Sequence, residues 1–293
     1  MTTPVPSQLT EHQASRVSYA GPAGPLAALH RRAIGNRLAT AVLLPGFTGS
    51  KEDFAPLIEP IATAGIEVIA LDLPGQFDSP GPDDEAEYLP LPLGATVAEL
   101  LDKLAGEGRR ILLLGHSYGG LVARAALLAD APVIGLTLLD SGPAALPDGQ
   151  RRRLVELGES VLRTEGIEAA NTLRVGTSEP TLPRPVAELH SRRFLATDVS
   201  CLLGMSTGLR YEPDRTTELA TALRAGAMGC LVMCGAADDA WPPSVQQDMA
   251  ERLDTDFAII PNAGHSPNVE NPQGLLARLL PTWSTWMADA ATG

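Results

Sequence analysis

The sequence lacks a long apolar run. Its longer apolar stretches, such as residues 131–139, are far shorter than the roughly 20 residues that a membrane-spanning helix needs. The N-terminal segment MTTPVPSQLTEHQASR has neither a basic region nor an apolar region of the kind found in secretory signals. We therefore expect no membrane partner, no secretory signal and a cytoplasmic localisation.

Cysteine is also scarce. The three cysteines are Cys201, Cys230 and Cys234. Cys230 and Cys234 fall in one short apolar run, and on a strand their Cα atoms would lie roughly 13 Å apart, which is too far for a disulfide. Buried free thiols are expected, as in a reducing compartment.

Positive charge is in deficit. The chain has 22 Lys and Arg against 35 Asp and Glu, so its formal net charge is −13. This charge would repel phosphate backbones and anionic lipid heads, so nucleic acid and membrane surfaces are poor candidate partners. The length of 293 residues fits one large domain or two small ones, and 44% hydrophobic with 19% charged residues is ordinary for a globular protein.

Cofactor and metal motifs are missing as well. No G-x-G-x-x-G follows a predicted strand, the segment GFTGSK lacks the spacing of a phosphate-binding loop, and neither H-E-x-x-H nor C-x-x-C occurs. We therefore expect neither a cofactor nor a metal.

Short apolar runs alternate with helical patterns along most of the chain. This alternation predicts an α/β fold, a mostly parallel doubly wound sheet with helices on both faces. Between two late strands the pattern becomes helical throughout, which predicts an inserted lid. The predicted divisions are a flexible tail (1–16), the first part of the core (17–143), a helical lid (144–228) and the second part of the core (229–293).

The segment Gly115-His116-Ser117-Tyr118-Gly119 matches G-x-S-x-G. It follows the apolar strand ILLL and precedes the helical pattern YGGLVARAALLA. A sharp strand-to-helix turn at this point would lift the Ser117 hydroxyl clear of the sheet, as a nucleophile requires. The alternative interpretation is an ordinary glycine-rich turn with a capping serine.

A serine nucleophile needs a base and an orienting carboxylate. His265 follows the last predicted strand, at the edge where parallel sheets carry their ligands. Asp238 follows the strand before it. We predict Ser117, Asp238 and His265 as the catalytic residues. His190 remains an alternative base, and Asp140 and Asp239 remain alternative acids.

Two backbone amides would complete the site. The Tyr118 amide follows the nucleophile, and the Phe47 amide lies in the loop after the strand AVLL, so these two are the predicted oxyanion hole. Phe47, Tyr118 and Trp241 are also predicted to wall a substrate pocket.

With these residues in place, the chain resembles the α/β-hydrolase superfamily, in its helical-lid serine esterase and lipase-like branch. The matching segments are LLPGFTGS, VIALDLPGQFDSPG, LLLGHSYGGLVA, LVMCGAADDAWPP and IPNAGHSPNVENP. The pattern G-x-x-D-x-x-x-P of this superfamily falls on Asp238. The chain departs from many relatives at Pro45, where they have His, and at Gln76, where they have a second His.

The resemblance implies a serine hydrolase that cleaves a small-molecule carboxylic ester through an acyl-enzyme. A thioesterase, lactonase, amidase, perhydrolase or C–C hydrolase would use the same residues. A non-catalytic ligand-binding protein of this fold is the alternative from another class.

The acidity is unevenly distributed. Residues 144–228 hold 11 Lys and Arg and 11 Asp and Glu, so the whole net charge of −13 belongs to the remainder of the chain. An acidic core below a charge-balanced lid predicts a neutral or modestly polar ester as the substrate.

Overall fold

The computed structural model describes residues 6–177 and 182–292, and eight strands in these ranges form one sheet. The strands are β1 (Ser15–Gly21), β2 (Gly24–Arg31), β3 (Ala39–Leu44), β4 (Ile66–Leu71), β5 (Ile111–His116), β6 (Gly135–Leu139), β7 (Gly229–Gly235) and β8 (Asp256–Ile260). Their spatial order is β1-β2-β4-β3-β5-β6-β7-β8.

The sheet is parallel from β4 through β8, while β1 and β2 run antiparallel at one edge. Strands β3, β4, β5 and β6 are buried along their whole length, because helices cover both faces of the sheet. The predicted mostly parallel, doubly wound α/β fold is confirmed.

Eleven α-helices accompany the sheet within the described residues, and none of them is both long and apolar enough to cross a membrane. They are α1 (Ala55–Thr63), α2 (Pro90–Gly106), α3 (Tyr118–Leu128), α4 (Gln150–Glu165), α5 (Ile167–Thr177), α6 (Arg184–Ala196), α7 (Val199–Tyr211), α8 (Thr216–Ala225), α9 (Pro243–Leu253), α10 (Pro267–Glu270) and α11 (Pro272–Thr292). Helices α1 and α11 pack on one face of the sheet, and α2, α3, α8 and α9 pack on the other.

Some element boundaries differ from the sequence-based prediction. The sequence pattern predicts a helix over residues 94–105, but α2 begins at Pro90, because prolines are compatible with a first helical turn and do not by themselves mark a loop. Apolar residues on one helical face predict a single helix over residues 50–64. The structure instead has a 3₁₀ turn, Lys51–Phe54, followed by α1. Strand β1 begins inside the segment predicted as an N-terminal tail, of which residues 1–5 lie outside the described residues.

Helices α4 to α8 occupy the stretch between β6 and β7, and ion pairs connect them to the rest of the protein. The pairs that join residues of 144–228 to residues outside it are Arg151–Asp239, Arg163–Glu85, Arg193–Asp53, Glu212–Arg124 and Asp214–Arg252. The Arg193–Asp53 pair is the one nearest the loop after β3, and its Nη1–Oδ1 distance is 2.6 Å. Both side chains are buried. Burial alone would raise the pKa of Asp53, but Arg193 holds this pKa below its ordinary value.

Removal of Arg193 tests this anchor. Arg193→Ala leaves the Asp53 carboxylate buried without its cation, so we expect a loss of about 3–5 kcal/mol in the free energy of unfolding. Arg184→Ala is the matched control, because Arg184 lies in the same helix and pairs with Glu188 in an exposed position. Its expected cost is below about 1 kcal/mol. Urea unfolding measures both, and equal losses in the two variants would contradict the buried anchor.

Candidate active site

Ser117 lies in the tight turn between β5 and α3. Its φ of 54° and ψ of −121° are unusual for a residue with a side chain, and such a strained backbone is common at functional sites. Two glycines permit the turn. A Cβ on Gly115 would lie 2.1 Å from the carbonyl oxygen of Gly119, and one on Gly119 would lie 2.4 Å from the carbonyl oxygen of Leu44. The close contact of strand and helix therefore requires glycine at both positions.

The structure brings Ser117, His265 and Asp238 into one hydrogen-bonded chain. The Ser117 Oγ lies 2.9 Å from His265 Nε2, and His265 Nδ1 lies 2.8 Å from Asp238 Oδ1. An ionised carboxylate can only accept, so Nδ1 carries the proton and Nε2 is free to accept from the serine hydroxyl. The imidazole thus has the tautomer that a base acting on Ser117 needs.

The Asp238 side chain is fully buried and receives several hydrogen bonds. Its Oδ1 also accepts from the Ala240 amide at 2.9 Å, and its Oδ2 accepts from Gln246 Nε2 at 2.7 Å. Burial alone would raise the pKa of Asp238, but the hydrogen bond from His265 holds this pKa below its ordinary value. Asp238 is therefore an anion around neutral pH.

None of the three alternative residues joins this hydrogen-bonded chain. Asp239 is 63% exposed in its side chain and pairs with Arg151. His190 lies in α6, where the charges of Arg193 and Asp53 act on it, and it makes no hydrogen bond to Ser117. Asp140 at the end of β6 is fully buried beside Asp238, but the Nδ1 of His265 bonds to Asp238.

The loop after β3 passes directly over Ser117. A Cβ on Gly46 would lie 2.8 Å from the Cβ of Ser117. The next residue in this loop is Phe47. Within residues 6–177 and 182–292, neither the Phe47 amide nor the Tyr118 amide has a protein acceptor. Free backbone donors are what an oxyanion site needs, so the assignment of these two amides to an oxyanion hole stays a prediction.

Gln76 holds this loop in place, which motif reasoning alone did not reveal. Its Nε2 donates to the Gly46 carbonyl at 2.8 Å, and its Oε1 accepts from the Leu73 amide at 3.2 Å. Gln76 is fully buried. In the sequence, only the departure from the superfamily pattern at this position pointed to a special role for Gln76. The structure shows that its side-chain amide donates the hydrogen bond to the loop.

His116 is a second residue whose contact the motif did not predict. Its Nε2 lies 2.7 Å from the backbone carbonyl of His265, and since a carbonyl only accepts, Nε2 is the donor. The Nδ1 of His116 is then an unprotonated nitrogen, buried with no partner in the described part of the chain. Burial, and then the neighbouring His265, lower the pKa of His116 to about 4. A neutral His116 supports the backbone of His265.

The three predicted pocket residues differ in exposure. Tyr118 is fully buried, and its hydroxyl donates to the Tyr88 carbonyl at 2.7 Å. Trp241 is also fully buried, with its ring centroid 6.3 Å from that of His265. Phe47 is partly exposed and packs against a cluster formed by α4–α7 that contains Phe194. A pocket lined by these three residues stays a prediction. Of the three, Phe47 is the one that is partly exposed to solvent.

One group of residues in the described ranges has the spacing of metal ligands. Asp140, Asp238 and His265 each offer a ligand atom, and these atoms lie within 4.8 Å of one another. Asp238 and His265 are hydrogen-bonded to each other, and this bond accounts for the approach of these two groups.

The fold agrees with a comparison against known families. The profile of the alpha/beta hydrolase family matches residues 41–279, which is most of the chain. The chain therefore belongs to the alpha/beta hydrolase family.

Individual relatives have diverse activities. A 2-succinyl-6-hydroxy-2,4-cyclohexadiene-1-carboxylate synthase of Escherichia fergusonii is 26% identical over 258 residues, which cover 81% of this chain and 91% of the relative. A thermophilic esterase of Thermogutta terrifontis superposes with a TM-score of 0.67 at 25% identity, covering 94% and 99% of the two chains. A carboxylesterase structure from Nitrososphaera gargenis has a TM-score of 0.74 at 18% identity, covering 93% and 100%, and at that identity it supports the fold alone.

The buried, neutral state of His116 makes stability depend on pH. In the unfolded chain this histidine binds a proton near pH 6.5, but in the fold it does so only near pH 4. Lower pH therefore favours the unfolded state, and stability present above pH 6.5 is lost as pH falls towards 4, by on the order of 3 kcal/mol. His116→Gln keeps a donor for the His265 carbonyl but cannot titrate. Urea unfolding at several pH values from 7.5 to 4.5 measures the free energy of unfolding. This free energy should fall less steeply with falling pH in the variant than in the wild type, and equal pH dependence would contradict the buried neutral imidazole.

Proposed function

We propose that the protein is a serine hydrolase that cleaves a carboxylic ester through an acyl-enzyme. The observation that carries the proposal is the continuous hydrogen-bonded chain from Ser117 through His265 to Asp238. Tyr118 follows Ser117 in the chain, Phe47 follows the Gly46 that lies against Ser117, and the amides of both have no protein acceptor in the described ranges. A nucleophile, a base with a defined tautomer and an oxyanion site are together the requirements of acyl transfer.

The proposed reaction begins with attack of the Ser117 Oγ on the ester carbonyl carbon. His265 Nε2 takes the serine proton as the new C–O bond forms, and Asp238 stabilises the imidazolium. The tetrahedral intermediate then collapses, and His265 returns the proton to the departing alcohol. A water molecule, deprotonated by His265, releases the acid in the second half of the cycle.

The charge in the intermediate resides on the former carbonyl oxygen. The amides of Phe47 and Tyr118 are the donors that we assign to it. The Tyr118 amide is at the first position of α3, where the helix leaves amides unpaired and the dipole favours negative charge. The loop that carries Phe47 is held by Gln76, so this donor is positioned before the substrate arrives.

A neutral substrate is favoured by how the charges pair. The arginines Arg151, Arg163 and Arg193 of the stretch between β6 and β7 form ion pairs with acidic residues elsewhere in the protein. These pairs neutralise charges on both sides rather than leaving one sign to select a charged ligand. We therefore propose an uncharged or modestly polar ester, bound beside Phe47 with α4–α8 acting as a lid.

A second candidate function comes from sequence similarity. The relative from Escherichia fergusonii is a synthase, and its alignment covers most of both chains. A synthase of that kind could use the same Ser117 and His265. Assays for this product and for ester hydrolysis, run on the same preparation, distinguish the two. Synthase turnover without ester hydrolysis would favour the second candidate.

The esterase proposal predicts a specific set of losses. Ser117→Ala should lower kcat for p-nitrophenyl esters by roughly 10⁴-fold or more, because the acyl-enzyme cannot form. Asp238→Asn should lower kcat by a factor approaching ~10⁴, because the imidazole loses its required tautomer. Release of nitrophenol from short and long acyl esters measures both effects.

Asp239→Asn is the matched control for the carboxylate, because Asp239 is the next residue and is exposed. It should retain activity within about threefold, since exposed ion pairs contribute little. Equal rates for wild type and Ser117→Ala across the panel would refute the esterase proposal. Loss of activity in Asp239→Asn with retention in Asp238→Asn would reverse the assignment of the acid.

Substrate charge provides a separate prediction. The kcat/KM for a neutral ester should exceed that for a choline ester of the same acyl chain. In the proposed entrance the acidic groups are paired, so nothing there attracts the choline cation. A competition assay with the two esters at equal concentration measures the ratio. A clear preference for the choline ester would contradict a charge-balanced entrance.

A further inference from the structure

Asp140 is a buried carboxyl group with no part in the proposed reaction. It directly follows the last residue of β6, and it has no exposure to solvent. Its Oδ1 accepts from the Gly235 amide at 2.9 Å. Its Oδ2 is buried and has no hydrogen-bond partner among the described residues. A buried oxygen with no partner is costly, so its state requires an explanation.

The Asp238 carboxyl group, which lies beside Asp140, is a candidate partner for this oxygen. Ligand atoms of Asp140, Asp238 and His265 lie within 4.8 Å of one another. Two buried carboxyl groups this close cannot both be ionised without a strong repulsion. One of them therefore keeps its proton at neutral pH, and that proton can satisfy both groups through one O–H···O bond.

The surrounding donors determine which group is ionised. Asp238 accepts from His265, Ala240 and Gln246, which leaves one of its about four lone-pair positions for a further donor. Asp140 accepts from a single amide, that of Gly235. The negative charge is thus better stabilised on Asp238, and the proton belongs on Asp140.

We propose that Asp140 is a neutral carboxylic acid whose Oδ2 hydroxyl donates a hydrogen bond to the Asp238 carboxylate. Asp140 thereby fixes the orientation of the group that holds His265. Asp140 is a positioning residue in this account, because it touches neither the substrate nor Ser117. The inference rests on the proposed function for its kinetic consequences, but the protonation state is independent of any activity.

The electrostatics of the neighbourhood agree with the geometry. Burial, and then the negative charge of Asp238, raise the pKa of Asp140 well above its ordinary value. The other titratable groups that face it are Glu270 from α10, Cys234 from β7 and His265 from the loop after β8. Glu270 adds to the repulsion.

The backbone at Asp140 also constrains the choice of variants. Its φ of 47° lies in the left-handed region, which aspartate and asparagine tolerate better than most residues. An asparagine side chain at this position could keep an oxygen for the Gly235 amide and place an N–H donor where the hydroxyl lies. Asp140→Asn is therefore the conservative variant, and Asp140→Ala is the variant that removes the donor.

The first test is infrared difference spectroscopy on the intact protein. Wild type at neutral pH should show a carboxylic-acid C=O stretch that is missing from the Asp140→Asn spectrum. The absence of such a band would overturn the proposal. The infrared band does not depend on catalysis, so it tests the protonation state of Asp140 even if the protein hydrolyses no ester. Failure to hydrolyse esters would count against the proposed function alone.

The second test is kinetic. Asp140→Ala should lower kcat for a p-nitrophenyl ester by roughly 10–100-fold with little change in KM, which is the usual effect of losing one hydrogen bond to a charged group. Asp140→Asn should recover most of that loss. Activity in Asp140→Asn as low as that of Asp238→Asn would show that Asp140 must be ionised, and full activity in Asp140→Ala would show that it positions nothing. Both results overturn the proposal.

The pH dependence of kcat/KM is a third test of whether Asp140 is neutral or ionised. Exchange of a neutral acid for a neutral amide removes no charge, so the acid limb of kcat/KM should stay at the same pH in Asp140→Asn. If Asp140 were an anion, its removal would shift that limb to lower pH by on the order of one unit. Thermal unfolding of each variant confirms that a folded protein is being compared. If Asp140→Ala does not fold, the infrared band and the pH profile of Asp140→Asn still decide between the two states.

Discussion

The sharp turn between β5 and α3 is the constraint on which the other features of the site depend. Contacts of α3 with β5 and with the end of β3 leave no space for side chains at Gly115 and Gly119, and Ser117 between them has a strained conformation. The strain is maintained because the turn lies between a fully buried strand and a fully packed helix. The hydroxyl is thereby presented in front of the sheet rather than within it.

The parallel sheet then brings the partners of Ser117 to the same edge. The loops after β7 and β8 carry Asp238 and His265, and the loop after β3 carries Phe47. Residues far apart in the chain meet because parallel strands end at one side of the sheet. Supporting contacts from Gln76 and His116 fix the loop of Phe47 and the backbone of His265. Protein contacts alone thus hold the candidate site together, which the proposed electrostatic stabilisation of a transition state requires.

The fold and the positions of the main site residues could be predicted from local patterns. Buried strands with short turns at their ends identify the sheet, and the segment around Ser117 combines a strand, a glycine-rich turn and a helix. Contacts between distant side chains could not be predicted in this way. The Gly235–Asp140 bond spans 95 residues, and the Gly46–Gln76 bond spans 30. Such contacts depend on packing, which periodicity does not describe.

The central claim, that Ser117 is an activated nucleophile, is tested most directly by a fluorophosphonate that forms a stable adduct with serine hydrolases. Intact-protein mass spectrometry followed by peptide mapping should show one adduct, on Ser117, in the folded wild type. The reaction should be far slower in a variant that lacks the Asp238 carboxylate. A folded protein that stays unmodified, or one that is modified equally after Ser117→Ala, would contradict the account.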